Sequence, residues 1–522
     1  MDSDKILSKD SSRTSGKSAF GFNIMSARLI SDAVRTTLGP KGMDKMIVGK
    51  DGNVTVSNDG ATILKEMQIE NPTAKMIAQV AMSQETEVGD GTTTAVVLAG
   101  ELLKSAEGLL DKGIHPTIII KGYRMAHVKS IEILHNIAKK THKKDKNVMM
   151  KIAKTAMTGK GVEDSKDFLS GLVVESFLSA DIIDKRLIQV VAIPGASIIN
   201  SRLIKGAIIA KDKISSQGPM LIKNPKIALF FESIELKEIG TDSKITITST
   251  EQMKDFFEME EKSSKEIINK ITASKANVVI CQKGIDDAIV HALAKNNIIC
   301  YRRIPKKDIE FISKATNARI CSNIDELKEN HLGKADMFEI REIGNERLSF
   351  IESTSKSNAV TLLIRASTVH VAEETKRAVE DAIGDIFCEE SNNLVVGGAG
   401  ACEIELARNL LLYSNSLSGK EQYAVKAFAE AMEIVPKSLA ENAGLDSIEI
   451  MSKLFLEHNK GNIYFGINVF NGNAMDSLKA GIIEPLKIKT FAIASATEVA
   501  TMILRIDDII ISPSEINHEI TQ

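Results

Sequence analysis

Residues 89–103 read Gly-Asp-Gly-Thr-Thr-Thr-Ala-Val-Val-Leu-Ala-Gly-Glu-Leu-Leu, two glycines and three threonines running into an apolar, helix-like stretch. Free N–H groups and hydroxyls gathered at a helix N-terminus make a cradle for an anion. Asp90 sits inside that cradle and has two readings. As an N-cap it would only accept a backbone N–H from the first turn. As part of an anion site it needs company. A carboxylate about 5 Å from a phosphate charge, at an effective dielectric near 20, repels it by roughly 3 kcal/mol. The helix dipole returns at most about 2 kcal/mol. The cradle therefore works only with a cation between the two, and Mg2+ bridging carboxylate and phosphate oxygens is the ordinary solution. No Gly-x-x-x-x-Gly-Lys-Ser/Thr occurs, so this is not a Walker-type loop.

Other segments gain meaning only beside this one. Asp59, in the stretch TVSNDGATIL (55–64), is either a turn former before Gly60 or a second site carboxylate. The stretch TLGPKGMDKM (37–46) reads as a helix stop. In the helix after Ser367, a rotation of about 100° per residue puts Ala378, Val379, Ala382, Ile383 and Ile386 on one face. Asp381 projects away from that face. It is either an exposed helix carboxylate or a group aimed across a cleft at water near a terminal phosphate. VVGGAGA (395–401) allows close backbone approach or is a plain loop, and Lys160 in KTAMTGKG reads on its own as a solvated lysine.

These groups need elements to hold them. Ile24, Ala27, Ile30 and Val34 recur at helical spacing between Asn23 and Leu38, and the stretch closes at Gly39-Pro40. Residues 1 to about 18 are polar and read as a loose end. Residues 53–60 alternate like a strand before a tight turn, a helix starts at Ala61, and a long one runs from Thr92 to Leu110 before Gly113 and Pro116. The charge-dense run 139–147 marks a candidate boundary. From about 207 to 364, short strand-like runs (AIIA, KIALFF, ANVVICQ, NIICYR, ARICS, VTLLIR) alternate with helices as in an α/β domain. A capped helix follows to about Glu390, and helices dominate to Arg505. Helical ends around a β-rich middle imply a nested path, with an outer domain made from both termini. Residues 243–271 read as a short strand and then a helix, capped by Thr248/Glu251 or Ser249/Gln252. Its Met253, Phe256, Phe257 and Met259 are core or a sticky tip.

Composition bounds the rest. The 522 residues suggest roughly three domains, and 43% apolar with 26% charged residues is a globular balance. Lys and Arg number 66 against 69 Asp and Glu, a net charge of −3, which argues against nucleic-acid or anionic-membrane partners. The start has no apolar signal core, and no run reaches a membrane span. Five cysteines without a CxxC pair, and nine histidines without HExxH, fit reduced thiols in a cytoplasmic protein.

Taken together, RTTLGPKGMDKM (35–46), NDGATIL (58–64), GDGTTTAVVLAGELL (89–103), KTAMTGKG (154–161), ANVVICQKGIDD (276–287), LAENAGLDSIEI (439–450), GIIEPLKIKT (481–490) and ATMILRIDD (500–508) resemble the group II chaperonin family of archaea and the eukaryotic cytosol, the archaeal thermosomes above all. The segments span the chain in family order. The resemblance implies a multidomain α and α/β chaperonin fold. Its parts would be a helical equatorial ATP-binding domain (1–146 and 395–522), a small intermediate hinge domain (147–207 and 365–394), and an α/β apical substrate-binding domain (208–364) with a helical lid protrusion at about 241–271. It implies an ATPase using ATP and Mg2+, and leaves K+ open as a further ion. Its partners would be non-native proteins and identical or homologous subunits in a double ring, with no nucleic acid and no membrane. On this resemblance Leu38, Gly39 and Pro40 wrap the nucleotide, Gly91, Thr92, Thr93 and Thr94 hold the phosphates, and Asp90 is the metal ligand. Asp59 and Asp381 position or activate water, and Lys160 senses the terminal phosphate. Gly398 and Gly400 lie by the ribose, with Asn468, Glu484 and Lys489 around sugar and base.

The chain departs from the family at two places. Gly398-Ala399-Gly400 stands where three glycines are usual, and 197–219 lacks the usual paired glycines and the acidic residue after the strand. Ala399 keeps a second reading open, a passive ring or holdase that binds ATP weakly. A metabolic kinase using the same cradle is disfavoured, because the middle region offers no second small-molecule motif.

Overall fold

The structure is a computed structural model and describes residues 12–49, 52–179, 184–211, 213–214, 218–235, 250–344, 346–353 and 359–511. Its contacts separate into two compact units, Met1–Ser170 with Arg377–Gln522, and Gly171–Lys376. The chain leaves the first unit, builds the second as an insertion, and returns.

The first half of the first unit holds β1 (Ser12–Ser15), α1 (Lys17–Arg35), the hairpin β2 (Lys45–Val48) and β3 (Val54–Ser57), α2 (Gly60–Glu66), α3 (Pro72–Glu87), α4 (Thr92–Asp111), α5 (Pro116–Ile137), β4 (Lys139–Lys140) and α6 (Lys146–Met157). Ile24, Ala27, Ile30 and Val34 lie on the buried face of α1, as their spacing predicts. The polar start is not loose from Ser12 onward. Ser12–Ser15 pairs antiparallel with residues 508–511, and Arg13 meets Asp508 at 2.6 Å.

The second unit begins within α7 (Lys166–Ser179). It continues through β5 (Ile188–Pro194), β6 (Arg202–Ile209), β7 (Leu221–Lys223), β8 (Lys226–Phe230), α8 (Thr250–Ala273), β9 (Val278–Cys281), α9 (Asp287–Lys295), β10 (Ile299–Tyr301), α10 (Lys306–Thr316), β11 (Ile320–Cys321), β12 (Gly333–Lys334), β13 (Met337–Ile343), β14 (Glu346–Glu352) and β15 (Val360–Ala366). One sheet runs β10-β9-β8-β11 in parallel, with β12 antiparallel to β8. The other is mixed, in the order β5-β15-β6-β14-β13-β7. All four residues of β9 are buried, as expected for a parallel strand covered on both faces. The six strand-like runs read from the sequence fall on β6, β8, β9, β10, β11 and β15, so this unit is α/β. Residues 243–249, with the capping candidates Thr248 and Ser249, lie outside the described residues. So do the side chains of Glu251, Gln252, Met253, Phe256 and Phe257. Met259 on α8 is exposed.

The chain returns through α11 (Val369–Asn392) and completes the first unit with β16 (Leu394–Gly397), α12 (Ala401–Asn415), α13 (Glu421–Met432), α14 (Ile434–Asn442), α15 (Ser447–Asn459), β17 (Phe465–Asn468), β18 (Asn473–Asp476), α16 (Ser477–Ala480), β19 (Ile483–Pro485), α17 (Leu486–Ile503) and β20 (Asp508–Ile511). Every residue from Thr92 to Gly100 is buried, which makes α4 the central helix. Around it pack α1 and α3 from the first half, and α13 and α17 from the second. One hydrophobic core therefore joins segments that lie hundreds of residues apart in sequence. All five cysteines are buried free thiols.

Candidate functional site

Two helix N-termini of the first unit meet at the threonine run. Gly91 precedes α4 in the left-handed region, at φ 77°, and carries no side-chain cap. Asp90 is therefore not an N-cap. The first bond within α4 runs from the Ala95 N–H to the Gly91 carbonyl, so the N–H groups of Thr92, Thr93 and Thr94 have no partner inside the helix. A side chain at Gly91 would strike Ile488 at 2.8 Å, so only glycine lets the turn pass α17. Beside it, α2 begins at Gly60, where an added Cβ would lie 2.7 Å from Thr93 Oγ1.

Asp59 is the turn residue that caps α2, and it also reaches the threonine run. Its Oδ2 accepts the Thr62 N–H at 2.7 Å and caps α2, while its Oδ1 accepts the Thr92 hydroxyl at 2.8 Å. One carboxylate thus ties the two helix ends together.

Asp381 and Lys160 correct their solvated readings. Ala378, Val379, Ala382, Ile383 and Ile386 do form the buried face of α11. Asp381, off that face, is covered nonetheless and keeps only 16% of its side chain exposed. Lys160 reaches it from the turn after α6. The Asn58 amide donates to the Gly159 carbonyl there, and Gly159 rests on the Gly39-Pro40 backbone. The Lys160 ammonium donates to Asp381 Oδ2 at 2.6 Å and to Asp90 Oδ1 at 3.2 Å. Burial works against the charge of Lys160, but Asp381 and Asp90 outweigh it and hold its pKa well above the usual lysine value. One ammonium serves several carboxylates. Burial first, and then Asp90 and Asp59, push Asp381 well above the usual carboxylate range despite Lys160. The lysine stays charged, and Asp381 is the group whose ionisation the cluster penalises.

The remaining expected residues are each held by contacts of their own. Leu38 is held where the Asn442 amide donates to its carbonyl at 2.9 Å. Gly398 faces Glu484, whose Oε1 would lie 2.7 Å from an added Cβ, and Gly400 rests on Pro436. The Ile467 N–H donates to the Ala399 carbonyl at 2.9 Å, which brings Asn468 at the end of β17 to this loop. Asn468 itself accepts the Phe470 N–H at 3.0 Å. The Lys489 ammonium lies between Glu403 at 2.9 Å and Glu484 at 2.8 Å. Burial lowers its pKa less than the two glutamates raise it, so it too is held well above the usual value.

Four residues escape a reading by motif. Gln84, fully buried on α3, donates to the Asp90 carbonyl at 2.8 Å and fixes the turn. Asn58 holds the Lys160 turn, and Glu403 holds Lys489. Asp385, one helical turn after Asp381, is 2% exposed, and among the described residues its Oδ1 has no hydrogen-bond partner. Burial and the charge of Asp90 push its pKa well up. Asn58 and Gln84 lie in polar runs, Ser57-Asn58-Asp59 and Ser83-Gln84-Glu85-Thr86-Glu87, where nothing singles either of them out. For Asp385 the available signal was its spacing of four from Asp381 on one helix.

The donor set fits a hydrated divalent cation. Asp90, Asp59, Asp381 and Asp385 cluster around one lysine beside open helix N–H groups. Among the described residues no three His, Cys, Asp or Glu side chains converge closely enough to hold a metal alone. An ion here would therefore complete its shell with water and phosphate oxygens, as Mg2+ commonly does.

The chain, with an α/β unit inserted between its two ends, has relatives among known proteins. A model of the TCP-1/cpn60 chaperonin family matches residues 30–514, and the chain belongs to that family. Among similar proteins is the thermosome subunit of Methanothermococcus thermolithotrophicus, 49% identical over 510 residues, covering 97% of this chain and 94% of that protein. The thermosome subunit beta of Methanothermobacter thermautotrophicus is 48% identical over 512 residues, 98% and 95% of the two chains. The thermosome subunit alpha of Thermoplasma acidophilum is 46% identical over 514 residues, 97% and 94%. No helix among the described residues is long and apolar enough to cross a membrane.

Proposed function

We propose that this group II chaperonin is an ATP-hydrolysing subunit that binds non-native proteins, encloses them and promotes their folding. The observation that carries the reading is Lys160 between Asp381 and Asp90 beside the open N-terminus of α4. Gly91, Thr92, Thr93 and Thr94 offer N–H groups and hydroxyls to phosphate oxygens. Asp90 holds Mg2+, which when bound neutralises phosphate charge. Asp381 and Asp59 orient the attacking water, and the raised proton affinity of Asp381 suits it to accept the proton. Leu38, Gly39 and Pro40 wrap the nucleotide. Gly398, Gly400, Asn468 and Glu484 line the sugar and base, while Lys489 acts by fixing Glu484. Lys160 is engaged by two carboxylates, so a terminal phosphate must compete for it. That competition is how it senses occupancy.

The same reading divides the chain into an equatorial domain (1–146 and 395–522), an intermediate domain (147–207 and 365–394) and an apical domain (208–364) with its lid at about 241–271. Lys160 and Asp381 then belong to the intermediate domain and the other site residues to the equatorial one, so domain closure completes the site and couples hydrolysis to the lid. Subunits assemble into a cytoplasmic double ring.

The test is turnover of purified protein with Mg-ATP, with closed particles sought by electron microscopy. Asp381→Ala is expected to lower kcat by about 10²–10⁴-fold while nucleotide still binds. Equal turnover in wild type and variant would leave the passive holdase as the better account.

A further inference from the structure

Among the described residues Asp385, like Asp59, forms no ion pair, but Asp59 has both carboxylate oxygens hydrogen-bonded and Asp385 does not. Its charged neighbours are Asp90, Lys160, Asp381 and Glu484. Lys160 is bonded to Asp381 and Asp90, and Lys489 to Glu403 and Glu484. Among the described residues neither lysine forms an ion pair with Asp385. The residue is 2% exposed, and its Oδ1 has no hydrogen-bond partner among the described residues. A buried orphan of this kind in a native protein marks a water, an ion or a functional duty.

Its surroundings say which. The helix α11 presses on the turn that carries Asp90. A Cβ at Gly384 would lie 3.2 Å from Gly89 Cα, and Cys388 Sγ donates to the Val88 carbonyl at 3.3 Å. Asp385 stands between these two contacts in sequence, on the α11 segment that meets Val88 and Gly89, next to Asp90. Mg2+ gives up its waters reluctantly and is usually held by one or two carboxylates while keeping several of them. Groups that grip an ion's bound water tune its affinity strongly.

We propose that Asp385 is a second anchoring residue for the divalent cation at Asp90, accepting a hydrogen bond from a water of that ion through its free Oδ1. This rests on the reading of Asp90 as the metal ligand, and it extends that reading to a residue outside the nucleotide cradle. Asp385 would position the ion without entering its inner shell. The loss of Asp385 then weakens the cation more than the nucleotide.

The experiment is Mn2+ binding to the full-length protein in the presence of ADP, read by electron paramagnetic resonance of free Mn2+. Asp385→Ala is expected to raise the Mn2+ Kd about tenfold, and Asp385→Asn, which keeps an acceptor oxygen, by a smaller factor. ADP affinity at saturating Mn2+ should stay unchanged in both. Thermal melting reports whether each variant folds, and the two substitutions read the same site independently. If both variants keep the Mn2+ Kd within about twofold of wild type while Asp90→Asn loses binding, the role of Asp385 is overturned and the cradle reading stands. If Asp90→Asn binds Mn2+ as wild type does, the cradle reading itself fails.

Discussion

Lys160 balances two carboxylates of the site, Asp381 and Asp90. Its replacement by methionine leaves Asp381 and Asp90 facing each other across a covered pocket with no cation. Lys160→Met is expected to destabilise the nucleotide-free protein by about 3 kcal/mol, and added Mg2+ should recover part of the loss. Melting curves with and without Mg2+ decide it, and a Mg2+-independent deficit would contradict the charge argument. Ala399 makes the opposite case. It occupies the left-handed region at φ 56°, where a methyl group is strained. Glycine relieves that strain but frees the unfolded chain, so Ala399→Gly is expected to stabilise by about 0.5–1 kcal/mol, read as a higher Tm. At this scale the sequence revealed residue types and not surroundings. Asp381 reads as solvated because helix phase describes one helix, whereas Lys160 reaches it from a turn more than two hundred residues earlier. Asp385 went unread for the same reason.

At the scale of elements, the site depends on how closely α2 and α4 approach. Gly60→Ala would press a methyl group to 2.9 Å from the Thr93 backbone nitrogen. It is expected to cost about 1–3 kcal/mol of stability and to weaken nucleotide binding, with helix content retained. Calorimetric titration against a matched denaturation curve separates the two effects, and unchanged affinity would show that the helix ends tolerate being spread. The elements themselves were largely legible. The periodicity of α1 and the apolar runs of α4, β8 and β9 need no distant partner to be recognised. From the sequence β1 reads as loose, because four polar residues carry no pattern of their own and their partner strand is β20 at the far end of the chain.

At the scale of the molecule, a buried polar knot joins α12, α15 and β17. His458 is fully buried, with Nδ1 at 2.7 Å from Glu405 and Nε2 at 2.8 Å from the Phe465 carbonyl. Burial works to raise Glu405, but hydrogen bonds from His458, Arg408 and Asn409 outweigh it and hold its pKa below the usual value. A carboxylate depressed on folding contributes stability that is fully present above its unfolded pKa of about 4.3 and fades as pH falls through the lower folded value. Glu405→Gln should therefore melt below wild type at pH 6, and the gap should close below about pH 4. A gap constant across that range would mean the knot contributes by packing alone.

The nested path also sets an order of events during synthesis. The core around α4 cannot close until α13 and α17 have been made, and roughly 200 residues of the inserted unit leave the ribosome first. At about 5–20 residues per second, the early helices wait some tens of seconds with their apolar faces uncovered, while the insertion is free to fold at once. The newborn chain is for that interval just the kind of sticky, half-made polypeptide that the finished protein exists to shelter.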